Sequence, residues 1–131
     1  MAYGRAAEEY RKGSINGASP LQLVIMLYDG ALRFMDAGRK AMVSGELSLQ
    51  NTSLQKAQKI IFELMSCIDM KEGGEIARNL LGIYTYVVNE LVEANIKDHP
   101  NSVERCMKIM SDLRESWVQL ETNRTKDEEA A

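Results

Sequence analysis

Three signals at one point start a helix in this chain. Ser19 can cap the first turn, Pro20 suits the first helical position, and Gln22 completes an S-x-x-Q capping box. The helix predicted from there covers 19–43. At about 100° per residue, Gln22, Asp29, Arg33, Asp36 and Lys40 fall in one narrow polar sector. Nearly everything else on it is apolar. Val24, Tyr28, Ala31, Met35 and Met42 make one stripe flanked by Ile25 and Leu32, and Leu23, Leu27, Phe34 and Ala41 make a second, about 100° away. A surface helix of a small domain needs only one stripe. A chain built this way must pack as helices, and it must cover more apolar surface than one contact face uses.

The pattern after Val43 continues in the same style. Ser44 to Glu46 reads as a stop, with Gly45 able to take the left-handed conformation beyond a helix end. A second helix is expected over about 51–69, where Leu54, Ala57, Ile61, Leu64, Met65 and Ile68 repeat on a single face. Asp69 to Gly74 breaks it, and Glu75 then suits the first turn of a third helix over 74–97. That helix again carries two stripes: Ile76, Leu80, Ile83, Val87, Leu91 and Ala94, and beside them Ala77, Leu81, Tyr84, Val88 and Val92. Asp98 to Pro100 ends it and opens a fourth, over 100–122, with Val103, Met107, Met110, Leu113, Trp117 and Leu120 facing in. Residues 123–131 read as a charged, frayed tail.

Four helices of about 20 residues joined by short turns predict an all-α fold, an antiparallel up-down-up-down four-helix bundle with each helix about 30 Å long. Residues 1–18 precede the bundle as an arm carrying Tyr3, Tyr10 and Ile15. At 131 residues and 45% hydrophobic content, the chain supports one domain with one core.

Charge and residue supply exclude several functions. A net charge of -3, from 16 basic and 19 acidic residues, offers no footprint for nucleic acid or an anionic membrane. No apolar run approaches the roughly 20 residues of a membrane span, and the first residues lack a signal-peptide core, so a cytoplasmic protein is expected. Cys67 and Cys106 sit inside apolar helical patterns with no partner spacing, which reads as two buried thiols rather than a disulfide or zinc site. A ferritin-like metal site requires E-x-x-H pairs, yet the one histidine, His99, stands beside a proline in a turn. Nucleophile, zinc-protease, Walker and dinucleotide motifs are all missing. The chain reads as a non-enzyme without metal or cofactor.

What remains is recognition through apolar surface. The first and third helices each show about 180° to 200° of apolar arc, against about 100° or somewhat more for an ordinary packed helix. Periodicity leaves two explanations open: these helices are the more central pair or the bundle dimerises, or a groove receives an apolar segment of a partner. Methionines such as Met26, Met35 and Met42 suit a groove that repacks around its client, although they suit a core equally.

Five segments, in this order and spacing, resemble the flagellar export chaperones of the FliS family: ASPLQLVIMLYDGAL at 18–32, KAQKIIFELMSCID at 56–69, KEGGEIARNLLGIYTY at 71–86, LVEAN at 91–95 and LRESW at 113–117. The likeness spans Tyr10 to Trp117. It implies a helical bundle that holds the disordered C-terminal segment of newly made flagellin, masks it from premature polymerisation, and is recognised with its cargo by the export gate of the flagellar type III apparatus. Other flagellar regulators or a co-chaperone are further partners it implies.

The resemblance also implies that the arm around Tyr10 and Ile15 caps the client groove. The client surface expected on the bundle comprises Leu23, Leu27 and Phe34 on the first helix and Leu81, Tyr84, Val88 and Val92 on the third. Helical phase does not decide which stripe faces inward. A monomer is expected; the competing reading is a homodimeric helical adaptor with its second stripes buried against a copy of itself.

Overall fold

The structure, a computed structural model, describes residues 19–130. Four helices follow one another: α1 (Pro20–Ser44), α2 (Leu47–Ser66), α3 (Gly74–Lys97) and α4 (Pro100–Ala130). The capping box forms, with the Gln22 N–H donating to Ser19 Oγ at 3.1 Å and the Ser19 N–H donating to Gln22 Oε1 at 2.8 Å. At its other end α1 closes in a Schellman motif: Gly45 turns left-handed at φ 79°, its N–H donating to Met42 O and that of Glu46 to Ala41 O. So compact a stop lets α2 restart at Leu47 instead of near 51, and α2 ends at Ser66 instead of 69.

Between α2 and α3 the Asp69 carboxylate accepts the N–H groups of Lys71 and Glu72, and Gly74 takes φ 53°. Asp98, left-handed at φ 56°, ends α3. The fourth helix does not stop near 122. Arg124 pairs with Glu121 one turn back and Glu128 one turn on, so the predicted tail carries its own helix-stabilising pairs.

Each helix packs on the next in sequence, and α4 closes the ring against α1. With connections this short, the neighbour pattern is consistent with up-down-up-down topology. Contact is unequal around the ring: closest between α1 and α2, then α1 and α4, while α3 meets both its neighbours more sparingly. Glycine explains the closest pair. A Cβ on Gly38 would lie 2.6 Å from Leu54 Cδ2 and one on Gly30 would lie 3.2 Å from Ile60 Cδ1, so the two axes approach over missing side chains.

The core runs along the centre of each broad arc rather than along one of its stripes. From α1 it takes Val24, Tyr28, Ala31 and Met35, from α2 Leu54, Ala57, Ile61 and Leu64, from α3 Ala77, Tyr84, Val87 and Leu91, and from α4 Val103, Cys106 and Met110. Burial pushes the Cys106 thiol up to about 12, aided by Glu90 and opposed by Arg105. Tyr28 and Tyr84 meet edge to face across the bundle, ring centroids 6.3 Å apart, with their hydroxyls hydrogen-bonded to each other.

Candidate functional site

Why α1 and α3 are both broad now has two different answers. On α1 the second stripe is covered by a neighbour. Gly30, Phe34 and Gly38 lie on the side facing α2, and the Phe34 ring takes the Lys56 ammonium of α2 at 5.5 Å from its centroid. The opposite flank faces α4, where Arg114 pairs with Asp29 at 2.5 Å and Ser19 Oγ donates to Glu121 at 3.2 Å. Both sides of α1 are therefore in use. It is the central helix of the two explanations offered above.

On α3 the flanks stay open. Ile76 is 67% exposed and Val92 40%, Tyr86 and Ile96 also face outward, and Leu81 and Ile83 are half-buried against the core. The α4 side forms a cleft of ≈ 480 Å³ between the start of α3 and the middle of α4, lined chiefly by Ile76, Leu80, Leu113, Trp117 and Leu120, together with Glu72, Gly73 and Ser116. One turn further along, a shallower depression of ≈ 690 Å³ continues past Ile83, Tyr86 and Ile109, edged by Arg78 and Asn79. Together they make a mainly apolar track along α3, with Ser116, Arg78 and Asn79 also in its lining.

The expected site residues divide accordingly. Leu27 and Phe34 are half-buried against the core on the α2 flank of α1, and Leu81 occupies the α2 flank of α3, with Val92 on the same flank and exposed. They lie on either side of α2 and do not line one groove. Leu23, at 3% exposure, and Val88 are both buried. Tyr84 is fully buried and engaged with Tyr28, so its side chain belongs to the interior. Tyr10, Ile15 and the cap they were expected to form lie outside the described residues.

Several cleft residues carry a sequence signal that points elsewhere. Periodicity predicts that Leu113, Trp117 and Leu120 face inward; in the structure Trp117 and Leu113 pack partly on the core and Leu120 is exposed. Ile76 and Ile83 belong to the first of the two stripes of α3, which helical phase alone does not assign to core or groove. Ile109 and Tyr86 each sit beyond the edge of their helix's main stripe and line the second hollow.

Electrostatics around the track are structural in kind. Asp36 on α1 is held below the usual carboxylate range by hydrogen bonds from Lys40 and Arg39, and Glu121 on α4 by its hydrogen bond from Arg124. Among the described residues, no group of three His, Cys, Asp or Glu side chains is placed to hold a metal ion, and no helix is long and apolar enough to cross a membrane. Apolar contact is the chemistry this surface can perform.

Comparison with known proteins agrees on one family. Residues 2–124 match the family described as "Flagellar protein FliS". The "Flagellar secretion chaperone FliS" of Vibrio cholerae is 34% identical over 117 residues, covering 86% of this chain and 86% of that protein. The protein of the same name from Bacillus subtilis is 31% identical over 127 residues, covering 97% and 94%. A solved structure titled "Crystal structure of flagellar chaperone from bacteria" superposes with a TM-score of 0.75 over 92% of this chain and 98% of that one; at 15% identity it speaks for the fold. An all-helical bundle with an uncovered apolar track, matched over nearly its whole length by these relatives, belongs to the FliS family of flagellar secretion chaperones.

Proposed function

We propose that this chain is a cytoplasmic export chaperone that binds the disordered C-terminal segment of flagellin along the open flanks of α3. Binding masks surfaces that would otherwise drive polymerisation, and the loaded complex is handed to the export gate of the flagellar type III apparatus. The observation that carries the reading is the apolar track between α3 and α4, left open by a helix that packs sparingly on both neighbours. A disordered client must offset an ordering cost of a few kcal/mol, which requires contact spread over a long surface. On the other flank, Val92 and Leu81 extend that surface, so a client crossing α3 meets apolar side chains on both sides. Val88 and Tyr84, on the buried side of α3, lie beneath it. The acidic balance of the chain fits a protein client better than nucleic acid.

Isothermal titration with the C-terminal segment of the organism's own flagellin tests this. One segment per monomer should bind with a negative heat-capacity change, the mark of apolar burial. Ile76→Asp or Leu120→Asp, at exposed positions, should leave the helical circular-dichroism signal intact and weaken binding about 10- to 100-fold, the cost of losing one well-buried apolar anchor. A stable dimer by light scattering that ignores the segment would overturn the reading.

A further inference from the structure

Two apolar flanks of α3 stay open, one toward α4 with Ile76 and Ile83 and one toward α2 with Leu81 and Val92. Between them runs the outward ridge of the helix. At about 100° per residue this ridge carries Glu75, Arg78, Asn79, Asn89 and Glu93, all exposed, and their polar side chains stand between one flank and the other. Gly82 falls on the same ridge, and there the wall drops. The shallower hollow of ≈ 690 Å³ opens at that point, with Tyr86 and Ile109 beside it.

A glycine inside a helix weakens it, so its place there calls for a reason. Gly30 and Gly38 find theirs in α2, whose side chains lie 3.2 and 2.6 Å from where a Cβ would stand. Gly82 finds none within the fold. Nothing among the described residues lies within 4 Å of a Cβ placed there, and its φ is not positive, unlike those of Gly45 and Gly74. What a glycine still offers at such a site is close approach of another molecule's backbone. We propose that Gly82 is the notch through which the client crosses α3: the bound segment leaves the α3/α4 cleft, passes over the helix with its backbone against Gly82, and continues onto Leu81 and Val92. The missing side chain gives up helix stability for a passage that joins two apolar flanks into one binding surface. The inference rests on the reading of that cleft as the client site.

The test is a side-chain series at position 82, read by thermal unfolding and by isothermal titration with the flagellin C-terminal segment. Gly82→Ala should raise the midpoint of unfolding by about 2 to 5 °C and yet weaken binding about three- to tenfold, a split that a purely structural glycine would not produce. Gly82→Leu should weaken binding about 10- to 100-fold. Leucine also adds apolar surface, so a client that stays on one flank would bind it as well as wild type or better. The negative heat-capacity change of binding should shrink in Gly82→Leu as well, because the client then fills one flank only. Glu93→Leu, about three turns further along the same ridge, should change affinity by less than about twofold. Binding to Gly82→Leu as tight as to wild type, an equal loss in Glu93→Leu, or a weakened complex with an unchanged heat-capacity change overturns the crossing while leaving the client reading intact. Absence of binding by the wild-type protein overturns the client reading itself, and the proposal with it.

Discussion

Gly38 offers a sharp test of how closely α1 and α2 pack. In an exposed helix, Gly→Ala is stabilising by about 1 kcal/mol, from the backbone entropy that glycine loses on folding. At Gly38 the new methyl would meet Leu54 at 2.6 Å from Cδ2 and 2.7 Å from Cγ, with the Leu54 backbone nitrogen 3.5 Å away. Carbon atoms rest at about 3.5 to 4.0 Å, so Leu54 must retreat by about 1 Å. Because the branch carbon itself clashes, no swing of a terminal methyl relieves the contact. Leu54 is fully buried in the core, which leaves it nowhere to go. Overpacking of this kind costs about 2 to 3 kcal/mol at a rigid site. Net destabilisation by Gly38→Ala should therefore be about 1 to 2 kcal/mol, lowering the midpoint of thermal unfolding by several degrees. Two other helical glycines are internal controls. Gly82, with nothing within 4 Å of its added Cβ, should gain about 0.5 to 1 kcal/mol on conversion to alanine. Gly30, facing only the far end of the half-buried Ile60, should change little. Urea unfolding followed by circular dichroism measures all three. If Gly38→Ala is as stable as wild type, or if the three variants shift alike, the close approach of α1 and α2 is not what glycine serves here.

Gln50 and the pH response extend the argument to polar groups. Buried Gln50 donates its side-chain amide to Asn95 Oδ1 at 3.0 Å and Asp98 Oδ1 at 2.8 Å, tying the start of α2 to the end of α3, and Asn95 Nδ2 donates to Asn51 at 2.9 Å. Gln50→Ala should cost about 1 to 2 kcal/mol and speed hydrogen exchange over the last turns of α3, while exchange in α1 changes only with global stability; uniform acceleration would refute a local latch. Asp36 and Glu121 have depressed carboxyl pKa values, so the stability they add is complete above the ordinary carboxylate pKa of about 4 and is lost as pH falls through their lower folded values. Asp36→Asn should flatten the acid limb of a stability profile below about pH 4 and leave the slope near neutrality unchanged. Both pairs are partly solvated, so the effect should shrink in high salt.

Much of the fold was legible because its signals are local. Capping box, Schellman glycine, left-handed Asp98 and Pro100 each act within one or two turns, and the helices end where such chemistry ends them. Misplaced limits have local causes too: the 44–46 stop is tight enough to restart a helix at once, and Arg124 with its two glutamates continues α4 through residues that look like a tail. The candidate site was less legible. Periodicity marked α1 and α3 as equally broad, but breadth counts apolar residues without saying what covers them. Gly30 and Gly38, which place α2 against the second stripe of α1, leave no mark in a count of hydrophobic residues. Tyr84 falls on the second apolar stripe of α3 with Leu81, and a partner across the bundle, Tyr28, draws it inside.

By itself, then, the amino-acid sequence determined that four amphipathic helices form, where they are punctuated, that two of them carry surplus apolar surface, and which family they resemble. These follow from backbone conformation and side-chain period, properties of residues within a few positions of each other. Only the tertiary structure decided which surplus is spent on packing and which is left open. That depends on interaxial distance: glycine brings α2 onto α1, no such close approach brings α4 onto α3, and the same kind of stripe is buried in one place and lines a cleft in the other.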